Sequence, residues 1–148
     1  MDDNRGDGAA QALAARAAGA LFAADRAAHG AGIELVSVGP GEAAMTMTVD
    51  DAMLNGHGTC HGGYLFLLAD STFAYACNSH NQRTVAAHGD ISFVRPVGPG
   101  EVLTARGREV WRAGRNGICD VTVTDHAGTT VAVFRGRSRT VGGPVAED

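Results

Sequence analysis

The sequence predicts an α+β fold in which an antiparallel β-sheet wraps around one long central α-helix. Residues from Gly62 to about His80 are apolar on every side and contain no turn residue, which predicts a buried helix. Two strand-like segments precede this helix and four follow it, each bounded by turn signals. A sheet that curls around a single central helix would cover the apolar faces of all these elements.

The elements before the central helix are predicted from a change in hydrophobic period. Residues 9–29 are rich in alanine and carry apolar side chains at helical spacing, which predicts an amphipathic helix that ends at Gly30. Residues 33–38 and 42–49 alternate between apolar and polar side chains on the two sides of a Gly-Pro-Gly turn. This alternation predicts a β-hairpin.

Four further strands are predicted after the central helix. They are separated by strong turn signals such as Gly-Pro-Gly and Arg-Asn-Gly, and these short connections predict an antiparallel meander. The four segments cover residues 83–96, 101–112, 116–125 and 129–140.

Length and charge limit the classes of protein to which the chain can belong. With 148 residues, we expect a single domain over residues 1–148, with flexible tails at residues 1–8 and 142–148. Hydrophobic residues make up 45% and charged residues 19% of the chain, which is typical of a compact globular protein. The formal charge of −4 and the lack of a basic segment argue against a nucleic-acid partner.

Cysteine content and the N-terminal sequence indicate a cytoplasmic protein. Cys60, Cys77 and Cys119 form no CxxC pair, so neither a disulfide framework nor a four-ligand zinc site is predicted. The N-terminus opens with acidic residues, and charges interrupt its apolar stretch, unlike a signal peptide or a membrane span. We therefore expect a soluble protein without a membrane partner.

A cluster of possible metal ligands precedes the central helix. His57, Cys60 and His61 fall within five positions, but they lack a fourth ligand at a spacing typical of metal sites. Gly62 and Gly63 follow directly, and they explain the segment better as the start of the helix. We expect no metal and no cofactor.

Asp70 is the unusual residue of the central helix, because a buried carboxylate costs several kcal/mol unless it is paired, hydrogen-bonded or protonated. It could hydrogen-bond a neighbouring strand, serve a subunit interface or take part in chemistry. Gly62 and Gly63 favour chemistry, since backbone N–H groups at the start of a helix lie at the positive end of its dipole and a ligand carbonyl can approach them closely. Such a position suits an oxyanion site.

Gly62 and Asp70 are too far apart along one helix to act on the same carbonyl group. Eight residues separate them, which corresponds to roughly 12 Å at about 1.5 Å per residue. If two copies placed their central helices antiparallel about a twofold axis, Asp70 of one chain would face Gly62 of the other. The sequence therefore predicts two identical sites in a dimer, each shared between both subunits.

The joint spacing of several motifs resembles the hotdog-fold thioesterases of the PaaI type. The resemblance covers about residues 20–143, nearly the whole domain. It rests on the segments Asn55-Gly56-His57-Gly58, Cys60-His61-Gly62-Gly63, Leu68-Ala69-Asp70, Ala74-Tyr75-Ala76-Cys77-Asn78, Phe93-Val94-Arg95-Pro96 and Phe134-Arg135-Gly136.

This resemblance implies a hotdog fold and the hydrolysis of aryl- or arylacetyl-CoA thioesters, such as phenylacetyl-CoA and its ring-hydroxylated derivatives, to the free acid and CoA. In that interpretation Asp70 is the general base on water, or the nucleophile through an anhydride, and the Gly62 N–H stabilises the oxyanion. Asn55 would position the water or the carboxylate. His61 would orient the thioester, or it would be a structural residue at the start of the helix.

The substrate-binding residues are expected around the same helix start and on the strands. Gly63 is expected to contact the substrate beside the oxyanion donor. The CoA phosphates suit arginine side chains, which can bind them through two hydrogen bonds. The candidates are Arg95, Arg135 and Arg137.

Two other functions are compatible with the resemblance. An enoyl-CoA hydratase or dehydratase would pair a catalytic His with an acid differently. A non-catalytic acyl-CoA-binding sensor would be joined to a DNA-binding segment, for which the sequence shows no basic patch. Some relatives also use a Ser or Thr to hold the attacking water, whereas this chain has Ala86 and Ala87 in the corresponding stretch. The resemblance further implies a homotetramer, built as a dimer of dimers.

Overall fold

The chain folds into a six-stranded sheet and three α-helices over the residues that the computed structural model describes, 3–148. This confirms the predicted α+β class, with the sheet packed against a long helix. Short 3₁₀ turns lie at Asp51–Met53 and Asn78–His80. In chain order the elements are α1 (Asp3–Ala24), α2 (Arg26–Gly30), β1 (Glu34–Gly39), β2 (Glu42–Thr48), α3 (Gly62–Cys77), β3 (Thr84–Phe93), β4 (Val102–Ala113), β5 (Asn116–Thr124) and β6 (Thr130–Thr140).

The predicted N-terminal helix starts earlier than expected and is divided in two, although the helical region ends at Gly30 as predicted. It begins at Asp3 rather than at residue 9, so residues 3–8 are helical instead of forming part of a tail, while residues 1 and 2 lie outside the described range. It also breaks at Asp25, whose side chain accepts a hydrogen bond from the N–H of Ala28 and thereby starts α2. An aspartate at this position favours a new helix start, because it satisfies an N–H group that the helix itself leaves unpaired.

The sheet has the strand order β1-β2-β4-β5-β6-β3, with antiparallel neighbours throughout. The predicted meander is therefore correct only for β4, β5 and β6, and wrong for β3, which lies beside β6 at the far edge. The reason is that α3 carries the chain across the sheet between β2 and β3. Its 16 residues span roughly 24 Å, comparable to the four strand spacings, about 19 Å, that separate β2 from β3.

The core lies between α3 and the inner face of the sheet. Leu68 and Phe73 of α3 are fully buried there, together with the alternate residues of β4, β5 and β6 that point inward. Gly136 of β6 gives α3 room, since a Cβ atom at this position would lie 2.7 Å from the Phe73 ring. The helix therefore packs close to the strands that follow it in the chain.

Two surface features bear on the candidate site. The edge strand β3 is paired only on the side of β6, and most of its side chains are exposed. Residues 142–148 form no helix or strand, but the backbone of Ala146 is hydrogen-bonded to the side chain of Asn81.

Within residues 3–148, every helix is too short or too polar to cross a membrane.

Candidate active site

The start of α3 is held by His61, the residue that precedes the helix. Its Nδ1 atom accepts a hydrogen bond of 2.8 Å from the N–H of Gly63, so His61 is the N-cap of α3. Its own N–H donates to the carbonyl of Met53 at 2.7 Å. This hydrogen bond is the structural role expected for His61 at the helix start, and the second expected role, orienting the thioester, stays a prediction. The N–H of Gly62, the first residue of the helix, has no acceptor within the helix and is available to a ligand.

The loop before α3 is organised by Asn55. The side-chain oxygen of Asn55 accepts hydrogen bonds from the backbone N–H groups of His57, at 2.9 Å, and Thr59, at 3.2 Å. The side-chain nitrogen donates to the hydroxyl of Thr59 at 3.1 Å. One amide hydrogen of Asn55 therefore remains for a ligand, because a primary amide carries two donors.

A pocket of about 380 Å³ brings Asn55 and Gly62 together. We call it the helix-start pocket. Phe93, at the end of β3, covers Gly62 so closely that a Cβ atom on Gly62 would lie 2.7 Å from the ring. Phe93 as a whole is 55% exposed, and Arg95 also lines the pocket. Only glycine fits at this position without moving the aromatic ring.

Asp70 borders a second and larger cavity of about 500 Å³, which we call the Asp70 cavity. Along α3 it is lined by Asp70, Phe73, Ala74 and Cys77, which share one face of the helix. Most of its other lining residues are apolar and come from α1, from the beginning of β3 and from the C-terminal segment. Burial raises the pKa of the Asp70 carboxyl group above its ordinary value. An acid in such surroundings is a better proton acceptor than an exposed one.

The two pockets have no lining residue in common. The helix-start pocket contains Asn55 and Gly62, whereas the Asp70 cavity contains the acid. A single chain therefore keeps the predicted oxyanion donor and the predicted base in separate pockets, at the two ends of β3. This separation agrees with the distance expected along α3 from the sequence.

The three predicted arginines lie in different environments. Arg95 is bound by the carboxylates of Glu101, at 3.0 Å, and Asp125. Arg135 forms a bidentate ion pair with Asp120, with distances of 2.6 and 2.8 Å. This ion pair lowers the pKa of the Asp120 carboxyl group. Arg135 and Arg137 are exposed on the outer face of β6, away from α3.

Several features of the two pockets were not predicted from the sequence. The contact of Phe93 with Gly62 joins residues 31 positions apart, and no local pattern indicates it. Asp25 borders the Asp70 cavity and accepts a hydrogen bond of 3.1 Å from the hydroxyl of Tyr75. Val145 lines the same cavity, although its segment was expected to be a flexible tail.

Comparison with known proteins agrees with the class that this fold and site define, the enzymes that hydrolyse thioesters. Residues 57–132 match the model of the thioesterase superfamily. The matched region includes the start of α3, Asp70 and the edge strand β3. The chain belongs to this superfamily and, within it, to the hotdog-fold acyl-CoA thioesterases of the PaaI type.

The relatives that support this assignment cover most of the chain. The chain is 43% identical to the acyl-coenzyme A thioesterase PaaI of Escherichia coli over 126 residues, 85% of this chain and 90% of that protein. The structure of E. coli PaaI, from the phenylacetic acid degradation operon, superposes with a TM-score of 0.89 at 42% identity, covering 90% of this chain and 97% of that one. A protein of Streptococcus mutans bound to acetyl CoA superposes with a TM-score of 0.73 at 28% identity, covering 76% and 90% of the two chains.

Proposed function

We propose that this thioester hydrolase acts on aryl- and arylacetyl-CoA thioesters, releasing the free acid and CoA. The observation that carries the proposal is Asp70, an acid of raised pKa at the wall of an apolar cavity of about 500 Å³. A cavity of this size and polarity is in the range of small-molecule sites. The likeness to E. coli PaaI, whose structure is described as coming from the phenylacetic acid degradation operon, supports an arylacetyl group as the occupant.

In the proposed reaction, the thioester carbonyl lies against the N–H of Gly62, which stabilises the negative charge that develops on its oxygen. By one route Asp70 accepts a proton from water as the water oxygen attacks the carbonyl carbon, and the C–S bond then breaks to release the CoA thiolate. By the other route the Asp70 carboxylate attacks first, expels the thiolate and forms an anhydride that water hydrolyses. Asn55 positions the water or the carboxylate with its remaining amide hydrogen.

Both routes require the Asp70 cavity and the helix-start pocket to adjoin each other. Pairing of two chains along the edge strand β3 would bring them together. The Asp70 cavity includes Thr84 at the beginning of β3, and the helix-start pocket includes Phe93 at its end. If two copies paired their β3 edges antiparallel about a twofold axis, Thr84 of one chain would lie opposite Phe93 of the partner subunit. Each Asp70 cavity would then adjoin the partner's helix-start pocket, which gives two shared sites per dimer.

Binding of the CoA portion is proposed at the mouth of the shared site. The S. mutans relative was solved with acetyl CoA, which supports a CoA ester as the ligand. Gly63 is proposed to contact the substrate beside the oxyanion donor. Arg95, Arg135 and Arg137 stay candidates for the phosphates, but Arg95 and Arg135 would have to exchange their carboxylate partners for phosphate. A homotetramer and a cytoplasmic location stay predictions as well.

The test is to replace Asp70 with Asn and to follow thiol release from phenylacetyl-CoA. We expect kcat to fall at least about 100-fold, the usual contribution of a general base, while binding of CoA is retained. The matched control is Asp7→Asn, an exposed acid in α1 that lies outside both pockets. Undiminished turnover by Asp70→Asn would remove Asp70 from the mechanism.

Three further measurements separate the alternative mechanisms and functions. Single turnover in ¹⁸O-labelled water places the label in the product acid if Asp70 is a general base. It places the label in Asp70 when an anhydride forms and water attacks the aspartyl carbon. Hydration of an enoyl-CoA without thiol release would identify a hydratase, and binding of acyl-CoA without any turnover would identify a non-catalytic binding protein.

A further inference from the structure

The C-terminal segment, residues 141–148, contributes to the wall of the Asp70 cavity, and we refer to it as the C-terminal strap. We propose that Val145 of the strap limits the length of the acyl group that the cavity accepts, and that Asn81 is the positioning residue that holds Val145 in place. The proposal rests on the proposed function, since it assigns the acyl group of the thioester to this cavity.

The strap begins as a continuation of β6. The N–H of Val141 donates to the carbonyl of Arg83 at 2.8 Å, and the N–H of Arg83 donates to the carbonyl of Gly143 at 2.9 Å. The antiparallel pairing of β3 and β6 thus extends beyond the sheet by these residues. As a result, the strap follows the residues at the beginning of β3 that line the cavity, Arg83 and Thr84.

Asn81 then binds both backbone groups of one residue of the strap, Ala146. Its side-chain nitrogen donates to the carbonyl of Ala146 at 3.1 Å, and its side-chain oxygen accepts from the N–H of Ala146 at 2.8 Å. Asn81 has a φ of 57°, in the left-handed region, where asparagine is one of the better tolerated residues. Because Ala146 directly follows Val145, Val145 cannot leave the cavity without straining or breaking these two bonds.

Val145 belongs to the end of the cavity remote from the acid. The strap is attached to Asn81 and Arg83, which follow the end of α3, whereas Asp70 lies about two helical turns before that end. An acyl group whose carbonyl is attacked at Asp70 would therefore extend along the apolar face of α3 towards Val145. A larger side chain at this position shortens the space for the acyl group, and a smaller one lengthens it.

The experiment compares kcat/KM for acetyl-, phenylacetyl- and decanoyl-CoA in four variants. One methylene group more or less in an apolar pocket alters kcat/KM by about 10- to 200-fold. We therefore expect Val145→Phe to lower the phenylacetyl value at least about 10-fold and the acetyl value less than about 2-fold. Val145→Ala and Asn81→Gly are expected to raise the ratio of decanoyl to acetyl activity at least about 5-fold, because the pocket becomes longer. Glycine keeps the left-handed backbone of Asn81 and removes only its side-chain bonds.

Val141→Ala is the control, since Val141 lies on the strap with a side chain that is 52% exposed and lines no part of the cavity. It is expected to leave all three ratios unchanged. Thermal unfolding first establishes that Val145→Phe is folded. If the folded variant keeps the parent's preference for acyl length, the proposal is overturned.

Failure of the proposed function would be recognised separately. If the parent protein hydrolysed none of the thioesters, the proposed function would be wrong. The role of Val145 in the cavity wall would then be tested by the affinity for the apolar probe 1-anilinonaphthalene-8-sulfonate, measured by fluorescence titration. Weaker binding in Val145→Phe and stronger binding in Val145→Ala would support the role of Val145. Equal affinity in the parent and in all variants would overturn it.

Discussion

At the scale of single residues, the burial of Asp70 destabilises the folded protein when the carboxylate is charged, and it also makes that carboxylate a better base. Burial raises the pKa of its carboxyl group, which means that the folded protein disfavours the charged form. The same burial makes the ionised carboxylate a stronger base toward water than an exposed aspartate. Activity is therefore expected to fall as the pH is lowered through the raised pKa of Asp70.

The stability of the protein should respond to Asp70 in the opposite sense. A carboxyl group whose pKa is raised by folding stabilises the folded state below the pKa of the unfolded chain, about 3.9, and this stabilisation is lost as the pH rises through the folded pKa. At pH 7 we therefore expect Asp70→Asn to unfold at a higher temperature than the parent. The difference should shrink towards pH 4, as followed by circular dichroism. A lower unfolding temperature at pH 7 would contradict this account of the burial.

At the scale of elements, the close packing of α3 against the sheet depends on small residues in the strands. Gly136 of β6 faces the ring of Phe73, which is 1% exposed, and Gly107 of β4 faces the methyl group of Thr72. Both contacts bring the backbone of the sheet close to the helix that carries Asp70. The position of the acid relative to β3 is thus set partly by glycines on other strands.

Adding one methyl group at Gly136 should therefore destabilise the fold. The new Cβ atom would lie 2.7 Å from Phe73, and overpacking of this kind costs about 1–3 kcal/mol. The control is Gly19→Ala in α1, where nothing lies within 4 Å of the added atom and where helix propensity should stabilise by about 0.5–1 kcal/mol. Urea unfolding at one protein concentration measures both. Equal stability of the two variants would show that α3 can move away from the sheet.

At the scale of the whole molecule, the exposed edge of β3 and the separation of the two pockets point to the same assembly. An unpaired strand edge is a site at which another chain can pair. In the proposed dimer this pairing also joins each Asp70 cavity to the partner's helix-start pocket. Oligomerisation would then be part of the catalytic arrangement and would not serve stability alone.

A mixture of two inactive variants tests the shared site. Asp70→Asn removes the base, and Gly62→Pro removes the oxyanion donor. Because the proline Cβ atom also displaces the Phe93 ring, the matched control is Gly62→Ala, which adds a Cβ atom and keeps the N–H. His61 already has the extended backbone, with φ −59° and ψ 134°, that precedes proline, and proline is favoured at the first position of a helix. Each variant alone should lose at least about 100-fold in kcat.

Refolding an equal mixture of both variants should restore about a quarter of the parent activity, since half of the dimers would be mixed and each mixed dimer would contain one intact site. Native mass spectrometry confirms that mixed dimers have formed, because the two variants differ in mass. No recovery in verified mixed dimers would show that each chain uses its own Gly62 and Asp70.

The sequence alone determined the elements of the fold and the residues of chemical interest. The hairpin, the central helix and the four later strands were predicted nearly at their observed bounds, because hydrophobic period and turn residues are local properties of the chain. Asp70 and Gly62 were identified for a similar reason, since an acid and a pair of glycines are unusual in an apolar helix. Their separation was also predictable, because the rise of a helix is fixed.

Only the tertiary structure decided where β3 lies in the sheet, how Phe93 covers Gly62 and which residues close the Asp70 cavity. These features depend on contacts between distant parts of the chain, such as the hydrogen bonds between Asn81 and Ala146, 65 residues apart. Asp25 likewise accepts a hydrogen bond from Tyr75, 50 residues away. No local pattern records such contacts, because they form only when separate elements pack together.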